Sequence, residues 1–353
     1  MQAKYLIGTY TDDTESQGVY ALHLDANGCP HVDPEPAVAI RNPSFLVQHP
    51  FLDVVYAVSE VGQPVGGEVV VLCKGAANGF EVVQVLPSGG LDPCHLAVSA
   101  DGRWLLVSHY SSGTVGLFML GQDGQLTSAG LCVDHGERWE DRFGKSEHHP
   151  RQGASHVHST QFVDGQQFLV CDLGTDEVVL YDLVTSGQAE VEARHVWRLP
   201  PGSGPRHAAL TTDPLRIYVA CELSNRVALL GLNSEEVPII YDEQSCLPEQ
   251  SSFSEASEIR FDAHHQLWVG NRGNDSLARF APISDALGNL QLFDGCGRYP
   301  RHFWMNDQYL LVASRDDNCV TVASISTDGQ PNLKSALRAS IPAPVFVLPV
   351  IAR

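Results

Sequence analysis

Six stretches of this chain repeat one grammar, and that repeat limits the fold more than any other feature. GPRHAALTTDPLRIYVACELSNRVALLGL from Gly204 aligns with YPRHFWMNDQYLLVASRDDNCVTVASIS from Tyr299 and with ASEIRFDAHHQLWVGNRGNDSLARFAPI from Ala256. Further copies begin at Asn42, Asp92 and Ala154. Each opens on Pro or Ser, at Pro43, Pro93, Ser155, Pro205, Ser257 and Pro300. A short alternating strand, a turn such as Ala100-Asp101-Gly102, an apolar strand with a polar end, a second turn and a third strand follow. Alternation over four to eight residues between turn formers is the mark of strands. A segment such as Gln125–Val133 supplies a fourth strand.

The openers are 43 to 62 residues apart, the period of four-stranded propeller blades. The longest step carries the polar loop Asp134–Ser155, the kind of insertion that shapes binding sites. The ends supply another blade. PAPVFVLPVIA from Pro342 reads as an opening strand with no blade behind it, and KYLIGTYTDDTESQGVYALHLD from Lys4 as the strands that should follow. Joined, they close a ring and remove a free sheet edge. The chain is therefore expected to be all-β, one seven-bladed β-propeller spanning residues 1–353.

Composition narrows the partners. The formal net charge is -20, which disfavours binding to a nucleic-acid backbone. No apolar run reaches the ~18 residues of a membrane-spanning helix. The start, MQAKYLIGTYT, lacks a basic segment followed by a long apolar one, so no secretory signal is predicted. The nine cysteines contain no close pair; they are expected to be reduced thiols buried in strands. These readings predict a cytoplasmic protein, a monomer or weak homo-oligomer, with no membrane or nucleic-acid partner.

The first two strands of each repeat are antiparallel neighbours. The start of the first and the end of the second should therefore meet at one face, and from every blade at one central mouth. That face collects His95 with His109, His156 and His158 with Asp172, Arg206 and His207 with Glu222, Arg260 with Asn271 and Arg272, and Arg301 and His302 with Arg315. Such a mouth suits a small anionic molecule despite the acidic total. His156 and His158, two apart, should point to one side of a strand. With His148 and His149 nearby they raise zinc, but no third ligand is singled out, so no metal and no cofactor is expected. Val65-Gly66-Gly67 and Ser88-Gly89-Gly90 have no helix after them and are turns, not phosphate cradles.

Ordered motifs along nearly the whole chain carry a resemblance. They are YLIGTYT at Tyr5, Arg151-Gln152 with His156-Val157-His158-Ser159, GPRH at Gly204, Cys221-Glu222-Leu223-Ser224-Asn225, ASEIR at Ala256, GNRGNDS at Gly270 and YPRHF at Tyr299. The chain resembles the bacterial 6-phosphogluconolactonases of propeller type, a family that also contains fungal carboxy-muconate lactonizing enzymes. The resemblance implies lactone chemistry and a catalytic set of His158, Arg206, Glu222 and Arg272, with Arg260 competing for the last place. The stretch Ser146–Gly153 reads SEHHPRQG where the family is richer in Gly, Pro and Asn.

On this reading the substrate is a small anionic lactone, 6-phosphoglucono-1,5-lactone, hydrolysed as a step of carbohydrate metabolism in the pentose phosphate pathway. Glu222 is expected as general base in a wet pocket. Arg206 and His158 would stabilise the oxyanion or protonate the leaving oxygen. His95, His156, His207, Arg260, Arg301 and His302 are expected to bind substrate, with Arg272, Arg301 or His302 on the phosphate. Two other functions use the same face: a cycloisomerase closing a carboxylate onto a double bond, and a non-catalytic ligand-binding propeller.

Overall fold

The computed structural model describes residues 3–75, 79–127, 131–138, 149–184, 189–248 and 253–351. Their strands form seven separate four-stranded sheets, each wholly antiparallel. The chain is a seven-bladed β-propeller. The strands nearest the axis are Leu46–Gln48, Pro93–Val98, Val157–Phe162, Pro205–Thr212, Glu255–Phe261, Pro300–Met305 and Pro344–Val350, in blades 1 to 7. In blades 1 to 6 the sheet is built outward in chain order.

Blade 7 joins both ends of the chain. Pro344–Val350 pairs antiparallel with Ala3–Thr9, which pairs with Tyr20–Leu24 and through it with Pro30–Val32. The ring closure expected from the sequence is the closure observed. The opener lies two residues later than Pro342, at Pro344, after Ala343 in a left-handed conformation (φ 40°).

The apolar core is divided among the blade boundaries. Seven clusters of buried side chains lie between the seven pairs of neighbouring blades. One packs Leu169, Leu180 and Trp197 of blade 3 against Ile217, Val219 and Leu230 of blade 4. Another packs Tyr5, Ile7 and Leu22 of blade 7 against Leu311, Val320 and Val322 of blade 6. Second strands are covered on both faces, which explains runs such as VVYAVS at Val54–Ser59, buried throughout. Outermost strands, such as Glu190–Arg198, are mostly exposed or half-buried and correspondingly polar.

All nine cysteines are free thiols. Six are buried as expected, but Cys29 and Cys73 are half-buried and Cys132 is exposed. Among the described residues no helix is long and apolar enough to cross a membrane. The inserted loop is described only in part, and His148 lies outside the described residues.

Candidate functional site

One backbone device recurs where each second strand leaves its sheet. The residue following it donates its N–H to the carbonyl that lies ahead of the same blade's inner strand. The pairs are Tyr10 to Ala343 (3.1 Å), Glu60 to Asn42 (3.1 Å), Tyr110 to Asp92 (3.0 Å), Leu173 to His156 (2.9 Å), Glu222 to Gly204 (2.7 Å) and Arg315 to Tyr299 (3.3 Å). Five of the acceptors, Asn42, Asp92, Gly204, Tyr299 and Ala343, have left-handed backbones and are followed by proline. A bulky Tyr299 at φ 54° is unfavourable in isolation. Its ring packs against the guanidinium groups of Arg315 at 3.7 Å and Arg272 at 5.3 Å.

A second device splits the inner strands into two layers. The pairing register slips at their openings, between Pro93 and His95, Val157 and Ser159, Pro205 and His207, and Pro300 and His302. Each slip is a β-bulge, which re-aims the extra residue. The extra residues are Cys94, His158, Arg206 and Arg301. They take the level of the second-strand exits, and the residues after them drop to a level below.

The upper level is a compact charged cluster centred on Glu222. Its Oε2 is 2.8 Å from Arg272 Nη2, 3.0 Å from Arg206 Nε and 3.8 Å from His158 Nε2. Its Oε1 is 2.6 Å from Arg151 Nη1, which also reaches Glu255 Oε1 at 2.9 Å. Arg151 Nη2 donates to Tyr110 Oη at 3.0 Å. Arg301 donates to Tyr10 Oη at 2.7 Å, and Tyr10 donates to Glu60. Thus His158, Arg206, Glu222 and Arg272, from blades 3, 4 and 5, share one cluster.

Burial and charge compete here. Burial alone would raise the Glu222 carboxyl, but Arg272, Arg206 and Arg151 hold it well below the usual carboxylate range. Burial, with Arg272 and Arg301 nearby, pulls the Arg206 guanidinium down to about 10. Burial, then the charge of Arg206, lowers His158 well below an ordinary imidazole, so at neutral pH it is uncharged. Several buried polar atoms of this cluster find no hydrogen-bond partner in the protein: Arg206 Nη1, Arg272 Nε and His158 Nδ1. Buried polar groups are ordinarily paired. The guanidinium N–H groups without acceptors can receive an oxygen anion, and the neutral imidazole beside them can take a proton.

The other expected residues do not join this cluster. His95, His207 and His302 fall to the lower level with Phe45, Ser159, Glu258 and Phe346. There Phe45 touches rings from four other blades, His95, His207, His302 and Phe346, at centroid distances of 4.1 to 6.5 Å. Glu258 accepts from His207 Nδ1 at 2.8 Å and lies 3.6 Å from His302 Nε2. This layer fills the shaft. Below it, Arg260, bound to Glu258 at 3.3 Å, lines a cavity of about 610 Å³ that opens on the opposite face. The single mouth expected from strand pairing is therefore two levels, and His95, His207, Arg260 and His302 belong to the lower one.

His156 is also differently placed. The strand begins at Val157, so the two-residue period does not extend back to it. Its ring stacks on Tyr110 at 4.4 Å, and its Nδ1 meets the Tyr110 carbonyl at 2.9 Å. His109, Asp172 and Asn271 brace their turns: His109 against Ser88 and Thr114, Asp172 against His135, Ser155 and the His156 amide, and Asn271 against Cys246 and Ser276. Arg315 bonds Asp316 and covers Tyr299.

Sequence reasoning missed Arg151, Glu255, Tyr110, Glu60 and Tyr10. Four of these five stand at a readable position: Tyr10, Glu60 and Tyr110 occupy the strand-exit position of Glu222, and Glu255 pairs directly with Arg272. Among the described residues no group of three His, Cys, Asp or Glu side chains is arranged to hold a metal ion.

Comparison with known proteins adds the chemistry of relatives. Residues 4–349 match the family model described as lactonase, 7-bladed beta-propeller. A 6-phosphogluconolactonase of Bacillus subtilis is 28% identical over 361 residues, covering 98% of each chain. An uncharacterized protein of Lactococcus lactis is 27% identical over 91% of this chain and 92% of its own. Among solved structures, a periplasmic gluconolactonase of Pseudomonas aeruginosa superposes with a TM-score of 0.86 at 25% identity, covering 99% of both chains.

Proposed function

Because the chain belongs to the family of seven-bladed β-propeller lactonases, we propose that it hydrolyses an anionic sugar lactone, with 6-phosphoglucono-1,5-lactone as its substrate. The observation that carries this reading is the set of buried donors without acceptors, Arg206 Nη1 and Arg272 Nε, beside the uncharged His158. Donors fixed in advance, in a site largely closed to water, stabilise a developing oxyanion strongly. Arginines outnumber glutamates around Glu222, which favours an anionic substrate. The 6-phosphogluconolactonase name of the Bacillus subtilis relative supports the phosphorylated sugar.

The steps are few. Water attacks the lactone carbonyl carbon and gives its proton to His158, while Arg206 and Arg272 take the charge forming on the carbonyl oxygen. The ring C–O bond then breaks, and the leaving alkoxide takes the proton from the imidazolium. The new carboxylic acid loses its proton to solvent. Glu222 stabilises the transient imidazolium 3.8 Å away and orients both arginines. This assignment moves the base from Glu222 to His158. A carboxylate held far below the usual range by three guanidinium groups accepts protons poorly at neutral pH. Because an activated ring ester needs little rate enhancement, a weak base and no covalent nucleophile suffice.

The test is a hydrolysis assay on 6-phosphoglucono-1,5-lactone and plain glucono-1,5-lactone, with and without chelator. Turnover of the phosphorylated lactone that survives chelation and is lost in Arg206→Met supports the reading. Turnover of neither lactone by folded protein overturns it.

A further inference from the structure

We propose that Arg151 is the specificity-determining residue of the upper site: it leaves its resting ion pairs to bind the phosphate of the substrate. This rests on reading the site as that of a lactonase. The sequence assigned the phosphate to Arg272, Arg301 or His302, and each of these is already engaged elsewhere. Arg272 is 2% exposed and fastened to Glu222 and to the Ala256 carbonyl at 2.9 Å. Arg301 is half-buried and engaged, bonded to Tyr10 and lying over its ring at 5.2 Å. His302 lies in the layer beneath.

Arg151 differs in each respect. Its side chain is 39% exposed, against 3% for Arg206. It is carried by the segment before Val157, outside any strand. The resting partners it would abandon remain provided for. Glu222 keeps Arg206 at 3.0 Å and Arg272 at 2.8 Å, and Glu255 keeps Arg272 at 3.6 Å. Only the Arg151 side of these pairs faces solvent, and buried Glu222 retains two guanidinium partners, so the move leaves no buried charge without a counter-charge. A guanidinium fork matches a phosphate's paired oxygens, and such charge-assisted bonds are among the strong ones. Moving Arg151 also frees Glu222 Oε1 from its 2.6 Å partner. Engagement of the remote phosphate thereby alters the charge balance beside His158, so that a group distant from the reacting carbon assists the reaction.

The experiment compares wild type, Arg151→Met and Arg151→Lys. kcat/KM is measured for phosphorylated and plain gluconolactone, and affinity for 6-phosphogluconate and gluconate by calorimetry. Wild type should prefer the phosphorylated member of each pair. In Arg151→Met that preference should shrink by about tenfold or more, the size of a lost charge-assisted bond, and Arg151→Lys should restore part of it. A merely structural Arg151 would depress both members equally, and an unchanged ratio overturns the proposal. A wild type that hydrolyses both lactones without preference also overturns it while leaving the lactonase reading standing. If no lactone is turned over, the lactonase reading falls, and the two affinities still decide whether Arg151 recognises phosphate.

Discussion

Glu222 of blade 4 and Arg272 of blade 5 meet 2.8 Å apart across a blade boundary, each side chain only 2% exposed. Their pairing ties two blades together at the place where charge is concentrated. Glu222→Gln is therefore expected to act twice. It leaves buried guanidinium groups without their counter-charge, which costs about 3 kcal/mol or more, and it removes the group that orients them. Denaturant melts and turnover on one preparation should both fall. The wet pocket expected from sequence would have spared stability, so a melt identical to wild type would contradict the burial seen here.

His158→Gln keeps a polar side chain in the cluster but cannot cycle a proton as an imidazole does. Turnover should fall by about 100-fold or more, with KM little changed. The wild-type rate should stay level from neutral pH down past 6, because a base must be uncharged and His158 stays uncharged well below its ordinary value. An acid limb should appear only below that, and it should vanish in the mutant's residual activity. A limb that persists in His158→Gln would assign it to another group.

The lower layer predicts how stability depends on pH. Burial holds His302 at about 3 and lowers His95 and His207 well below the ordinary imidazole value. Each is uncharged when folded but takes a proton near 6.5 when unfolded. The unfolded state then binds more protons, so stability is complete above about pH 6.5 and is lost as pH falls toward 3. Each such histidine contributes a slope of about 1.4 kcal/mol per pH unit at most. Glu222 continues the same trend at lower pH. Its folded value is depressed, so its contribution is present above its unfolded value and lost as pH falls through the folded one. Melting temperatures from pH 7 to 4 should decline, and less steeply in His302→Phe.

Deleting the chain from Pro342 onward removes Pro344–Val350 and leaves Ala3–Thr9 with an unpaired edge facing the axis. The expected product is aggregated protein. A soluble truncation with an unchanged melting curve would mean that blade 7 does not close the ring.

The fold was legible because each blade announces itself locally. Strand alternation, Gly turns and proline openers recur, and the two half-blades at the ends complement each other. The candidate site was legible only in part, because it depends on a one-residue slip that leaves no trace in composition. Arg206 and His207 are neighbours in sequence, yet the bulge sends one to the upper cluster and the other to the lower layer. Period-two reasoning cannot see an inserted residue. Arg151 escaped for another reason: its place is set by a loop, where no period applies.

The layer built on Phe45 makes the ring a cul-de-sac rather than a tunnel. Among the described residues, the rings of His95, His207, His302 and Phe346 around Phe45 leave the Glu222 cluster one open side. Whatever enters must leave backwards, so arrival and departure take turns at a single doorway. On the proposed lactonase reading, a product still seated there bars the next substrate, so added product should slow turnover.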